Sequence, residues 1–335
     1  MFEFLNTSEI TRLALLIGAF AAIYYKDNEG IVPGGVIVPG LLVVTIILSP
    51  IWGISLIGLA FILFSLYQRY FSHLKSLQPR TPMYILAIMS LCLVYPLAIL
   101  YDNLGWVQFS EEGMTGSLIP AIIAFSWTKQ KQLRVVQGVG ITTLFTGGIV
   151  ATIYWLGWYW LDIDFNIVHP AYAETLDIEF SYPLLQFGLV LVLSYLIYQR
   201  SSVRSGGYIV LPAAAALLME PLSAVTFLLG CLLVGSLSWL ICRYSLTIGL
   251  NRYGLVLFMS VVYVWGVELL LLQYNPTLVP FRGLNLLVVI AMITLVNDSL
   301  LYWKKGGLKY ISLVALVAIT LNILATYIKQ LQVFI

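Results

Sequence analysis

Long apolar runs separated by short polar breaks recur from one end of the chain to the other. They cover residues 11–25, 32–48, 51–68, 83–100, 114–127 and 136–160, then 183–198, 206–219, 222–242, 253–272, 284–302 and 308–328. A straight helical crossing of the hydrocarbon core takes about 20 residues. The pattern therefore predicts an all-α integral membrane protein with about twelve membrane segments. The runs at 114–127 and 206–219 fall short of that length. They are expected to be broken, re-entrant or shielded by neighbours, because unpaired backbone is not tolerated against lipid. The opening MFEFLNTSEI has no basic stretch, so the first run is expected to stay as a membrane segment.

The polar breaks carry charge unevenly, and that orients the chain. Residues 161–183 contain no Lys or Arg but hold Asp162, Asp164, Glu174, Asp177 and Glu179. By the positive-inside rule this stretch lies outside. Counting crossings from there puts Lys26, Arg69, Lys75, Arg80, Lys129, Lys131, Arg134, Arg200, Arg204, Arg243, Arg252, Lys304, Lys305 and Lys309 inside. Of the 17 basic residues only Arg12, Arg282 and Lys329 fall outside. The expectation is a multi-pass membrane protein with both termini outside. The cluster Tyr154, Trp155, Trp158, Tyr159 and Trp160 fits an interfacial aromatic belt.

Composition agrees with the pattern. Of 335 residues, 61% are hydrophobic and 10% charged, against roughly 25% charged in a soluble domain. A net charge of +2 gives no reason to expect a nucleic-acid partner. Cys92, Cys231 and Cys242 sit inside apolar runs, and His73 and His169 lie far apart, so neither a disulfide framework nor a metal site is expected. The chain has no Ser-His-Asp set and no phosphate-binding glycine loop. No catalytic constellation and no cofactor are expected in it.

The two halves repeat the same order of features. "IYYKDNEGIVPGGVIVPGLLVVTIILSP" at 23–50 resembles "IYQRSSVRSGGYIVLPAAAALLMEP" at 197–221. Each reads as an apolar run, a charged turn, a glycine pair and a branched triplet ending near Pro39 or Pro212. Long runs closing in Arg69 and Arg243 follow, and each half ends with a basic turn and a last apolar run. Six passes per half is even, so the copies are expected to be parallel repeats rather than inverted ones. The expected division is 1–165, an acidic linker at 166–182, and a diverged second repeat at 183–335.

The richest motif runs from Asp27 to Gly40 and includes Glu29, Pro33, Gly34, Gly35 and Pro39. Two prolines and four glycines cannot continue a regular helix. Unwound backbone at membrane depth is where carbonyls and amides meet a ligand; a tight hairpin that merely packs helices closely is the structural alternative. A second glycine- and proline-bearing stretch runs from Glu111 through Gly116 to Pro120, which is expected to break a membrane segment. In the other half, Phe281-Arg282-Gly283 stands in the matching place and Asp298 lies further along. Arg282 either pairs with Glu268 or Glu220 or binds an anionic group. Asp298, an acid in a membrane segment, is a site candidate, or neutralises Lys304 or Lys305.

Residues 27–40 resemble the signature acid-x-x-G-I-V-P-[AG]-G-x-x-V-P-G of the poly-γ-glutamate biosynthesis protein PgsC/CapC family, with one extra residue between Asp27 and Gly30. Residues 116–124 are similar to the G-x-x-x-P-x-x-I-A core of that family's later stretch, and Phe281-Arg282-Gly283 to its opening. Glu111 and Glu112 stand where the arginine is expected, and Val288 and Val289 where the proline is. Family members have about half this length, so the chain resembles two fused copies. The resemblance implies a membrane subunit of a complex that makes and exports an anionic γ-linked glutamate polymer, a capsule-type product. Its implied partners are a separate ATP-dependent amide ligase, an extracytoplasmic polymer-release subunit, the polymer and membrane lipid. It also implies a non-catalytic subunit in the bacterial cytoplasmic (inner) membrane, with Asp27, Glu29, Pro33, Gly34, Gly35, Pro39, Gly40, Gly116, Pro120 and Arg282 as ligand- or partner-binding candidates; Asp298 joins them as an acid in a membrane segment. A secondary transporter of a small anion and a non-transporting scaffold are the other readings.

Overall fold

The computed structural model describes residues 7–71, 80–104, 118–161, 183–204, 221–245, 248–274, 280–281 and 285–333, and every regular element among them is helical. The chain divides into two compact units, Met1–Pro170 and Ala171–Ile335. Unit one contains α1 (Thr7–Glu29), α2 (Val38–Leu48), α3 (Pro50–Leu66), α4 (Thr81–Asn103), α5 (Leu118–Lys129) and α6 (Gln132–Leu156). Unit two contains α7 (Pro183–Ser201), α8 (Pro221–Ser245), α9 (Leu250–Tyr274), α10 (Asn285–Tyr302) and α11 (Gly307–Val333). Pro50 opens α3, where a missing N–H costs nothing and the fixed φ is already helical; Pro221 is the first described residue of α8.

Among the described residues, five stretches are long and apolar enough to cross a membrane: Pro50–Phe71, Thr81–Tyr101, Gln132–Leu156, Pro221–Ser245 and Leu250–Leu271. Their exposed faces are studded with Ile54, Phe61, Leu144, Phe145, Leu228 and Leu232, an apolar coat far larger than water-soluble monomers carry. The buried faces are the more polar ones. Thr142 and Thr146 on α6, Ser223 and Ser238 on α8, and Ser90 and Ser260 on α4 and α9 all lie inside. Several of these hydroxyls bond a carbonyl one turn back, as Thr142 does to Gly138 at 2.7 Å and Ser260 to Val256 at 2.8 Å. Such bonds and small side chains let membrane helices approach closely. At the end of α6, Trp155, Tyr159 and Trp160 are exposed, the placement expected of a belt.

Two helices of unit one are half-length. The apolar run at 32–48 becomes a helix only from Val38, because Gly30 to Ile37 is not helical. α2 therefore has 11 residues and α5 has 12, about 17 Å of helix against a core of about 30 Å. Neither stands against lipid alone. α2 packs on α1, α3, α5 and α6, and α5 packs on α2, α3, α4 and α6. The expected shielding of the short run at 114–127 is met by these neighbours. The run at 206–219 lies outside the described residues.

The units share one packing plan. α7 meets α11 as α1 meets α6, α8 meets α9 and α10 as α3 meets α4 and α5, and α10 meets α9 and α11 as α5 meets α4 and α6. The register of burial is shared too. Leu86, Ser90, Val94 and Ala98 of α4 are buried, and so are Val256, Ser260, Val264 and Glu268 of α9 at the same spacing. Counted from Pro50 and Pro221, Trp52, Leu56, Leu59, Leu63 and Tyr67 correspond to Ser223, Phe227, Gly230, Val234 and Ser238, all of them buried. The side chains have drifted while the faces have not.

Candidate functional site

The glycine- and proline-rich motif forms a turn wedged into unit one. α1 ends when Gly30 takes a left-handed conformation at φ +68 and its N–H bonds the Lys26 carbonyl at 2.8 Å. Ile31 to Pro33 run on without helical bonds, and the Gly34 N–H closes a tight turn onto the Val32 carbonyl at 2.9 Å. Gly35 follows at φ +119, a region essentially closed to other residues. Pro39 lies in the first turn of α2 and Pro33 inside the unwound stretch, so the two prolines flank the Gly34-Gly35 pair.

The turn sits against α5 and α6. A Cβ on Gly34 would lie 3.2 Å from Val139 and 3.3 Å from Ile123, and one on Gly35 would lie 3.0 Å from Ile122. Pro33 presses on Gly138 of α6, where a Cβ would come within 3.2 Å of its ring and 2.9 Å of Tyr25. Further along, α1 and α2 cross with almost no space between them. A Cβ on Gly40 would fall 2.5 Å from the Ala14 carbonyl oxygen and 2.7 Å from Leu15 Cα, and one on Gly18 would strike the Gly40 backbone. Gly40 is thus a packing residue of the α1–α2 seam.

Unhelical backbone away from water needs partners. At Val32 they come from the Gln130 side chain: its Oε1 accepts the Val32 N–H at 3.0 Å, and its Nε2 donates to the Val32 carbonyl at 3.4 Å. Gln130 lies in the turn between α5 and α6. In the sequence it reads as one more polar residue between Lys129 and Lys131, and nothing there marks it as the partner of a segment 98 residues away.

The expected site residues separate into groups. Pro33, Gly34, Gly35, Pro39 and Gly40 come together in the turn and seam just described. Asp27 and Glu29 are exposed at the end of α1, and Asp27 pairs with the adjacent Lys26 at 3.1 Å. Pro120 lies buried near the start of the described part of α5, and residues 105–117 before it lie outside the described residues. Gly116 and Arg282 lie outside the described residues.

Asp298 belongs to unit two and is fully buried. Its partner is neither Lys304 nor Lys305 but Arg204, whose Nη1 stands 3.5 Å from Oδ1. Beside it, Nε of Arg252 donates to Oδ1 of the buried Asn297 at 3.3 Å. Arg204 follows α7 as Val32 follows α1, and both are reached through the same turn. Ser202, at φ +55, donates its N–H to the Tyr198 carbonyl at 2.8 Å, just as Gly30 does to Lys26. Among the described residues, no three His, Cys, Asp or Glu side chains gather as metal ligands.

A family model described as capsule biosynthesis CapC matches the chain twice, over residues 17–136 and 189–298. The two matches start within α1 and α7, and the second ends on Asp298. No curated protein and no solved structure matches the chain. With most of its length covered by two consecutive copies of one family, the chain belongs to the capsule biosynthesis CapC family as a tandem duplicate.

Proposed function

From that membership we propose that the chain is the membrane subunit of a complex that makes and exports γ-linked polyglutamate. In this reading it anchors a separate ATP-dependent amide ligase at the cytoplasmic face of the inner membrane and offers the anionic polymer a route outward. A release subunit works on the opposite face. The observation that carries the reading is the capsule-synthesis family match over both helical units. The exposed basic residues Arg69, Lys129, Lys131 and Arg134 at the helix ends of unit one support a cytoplasmic docking surface for the ligase.

The test is deletion of the gene, with cell-associated γ-polyglutamate measured before and after complementation, together with recovery of the ligase on a tagged copy of this chain. Polymer at wild-type levels without the chain refutes the reading. Polymer loss with no ligase recovered refutes the anchoring role. Orientation is tested in a cysteine-free background: Asp164→Cys should react with an impermeant thiol reagent in intact cells, and Lys131→Cys only after lysis. Labelling of both in intact cells overturns the topology.

A further inference from the structure

The start of α4 and the end of α5 each carry a cation that no carboxylate among the described residues of unit one meets. Nη1 of Arg80 is buried and has no hydrogen-bond acceptor. The Lys129 ammonium rests 4.2 Å above the Phe125 ring centre and feels the Arg80 charge. Among the described residues of unit one, no carboxylate pairs with either cation. Asp27 is taken by Lys26, and Glu29 stands exposed at the end of α1.

Unit two closes the corresponding end by itself. Ile123, Ala124 and Trp127 of α5 are buried, as are Ile293, Thr294 and Asn297 of α10 at the same spacing. In that register Asp298 stands where α5 has Thr128, the neighbour of Lys129. Asp298 gives Arg204 a buried carboxylate, and Asn297 occupies Arg252. Unit two has built into its own helix an anion where α5 of unit one has Thr128.

The geometry points to an oxyanion site in unit one, formed by Arg80 and Lys129, that takes a free carboxylate of a γ-linked glutamate chain. This rests on the function proposed above, which supplies the polymer. A γ-linkage consumes the side-chain carboxyl and the α-amine, so every residue keeps its α-carboxylate and the chain presents one anion per unit. A guanidinium matches a carboxylate through two parallel N–H bonds, while an ammonium adds a point charge of free orientation. The buried Arg80 nitrogen favours a ligand that reaches into the protein over a lipid headgroup at its rim. Gln130, next to Lys129, holds Val32, so the signature turn and the site share one strut.

The probe is a fluorescently labelled γ-linked glutamate hexamer, titrated by anisotropy onto the full chain in phosphatidylcholine nanodiscs. Saturable binding is expected, about tenfold weaker in Arg80→Gln and in Lys129→Gln and unchanged in Lys309→Gln on the exposed face of α11. Absence of binding to the wild type, or equal loss in all three variants, overturns the site. So does competition by inorganic phosphate as effective as by unlabelled hexamer, together with loss of binding in phosphatidylglycerol nanodiscs, because the site then belongs to lipid phosphate. Should Arg80→Gln fail to insert, Arg80→Lys and the thermal stabilisation of the wild type by hexamer decide in its place. Lack of binding by a chain whose deletion still abolishes polymer sinks this site and leaves the proposed function standing. Polymer that survives deletion sinks the function itself.

Discussion

Two ties hold equivalent places in the two units and are made of different chemistry. In unit one the segment leaving the first helix is fixed to the far end of the fifth by a neutral amide, Gln130 on the Val32 backbone. In unit two Arg204, in the place of Val32, is fixed to α10 by the buried charge of Asp298. The fold requires that the unwound segment be held there, and it leaves the means open. A carboxamide bonded to backbone is satisfied without charge. A buried ion pair is stable only while both partners remain. Among the described residues, Arg80 and Lys129 of unit one have no carboxylate partner, while Arg204 of unit two has Asp298.

The comparison is broken or sharpened by substitution, starting with the largest expected effect. Gly35→Val places a β-branched side chain at φ +119 against Ile122. It should abolish surface polymer per unit of membrane-inserted protein, with Gly207→Val in unit two doing less. Equal and mild losses would mean that the first turn holds no special role. Gly18→Val comes next. In α7 the corresponding position carries the buried Val190, whereas in α1 any Cβ meets the α2 backbone. The expected cost is about 3 kcal/mol or more, read by denaturation in detergent. A negligible shift would show that the α1–α2 seam can open.

Asp298→Ala should cost about 3 kcal/mol by leaving Arg204 without its counter-charge, against about 1 kcal/mol for Gln130→Ala. The paired replacement Arg204→Met with Asp298→Leu should recover most of the loss. If the two alanine variants melt alike, the charged and neutral ties are equivalent and the contrast between the units fails. Gly30→Ser is the mildest. Gly30 has open space where its Cβ would lie, and Ser202 already holds the same left-handed position in unit two. A loss of about 1 kcal/mol is expected in the same melts, and a much larger one would show that the two turns are not equivalent.

Much of this architecture can be read in the sequence. The apolar runs locate the helices, and the repeated glycine pairs at Gly34-Gly35 and Gly206-Gly207 locate the duplication. The prolines and glycines of Asp27–Gly40 mark a break, but the apolar run at 32–48 alone does not show that α2 starts only at Val38. Hydropathy measures transfer out of water and does not distinguish a helix from a wedged turn. Asp298 was legible as a buried acid, yet its partner was not. Lys304 is close in sequence and Arg204 is close in space, and only the packing of α7 near α10 decides between them. Gln130 left no signal, since a side chain bonded to distant backbone looks like any polar residue in a turn.

The half-length α2 has a consequence for how the chain is made. Eleven residues cannot bridge a bilayer, so this helix has no stable place as an independent span when it leaves the ribosome. Its Gly40 locks onto Ala14 and Gly18 of the helix that precedes it. The first two helices are therefore expected to enter the membrane together as a zipped pair, before α3 and the rest of unit one have been synthesised. The crossing of Gly18 and Gly40 is then an assembly checkpoint as well as a contact of the finished fold.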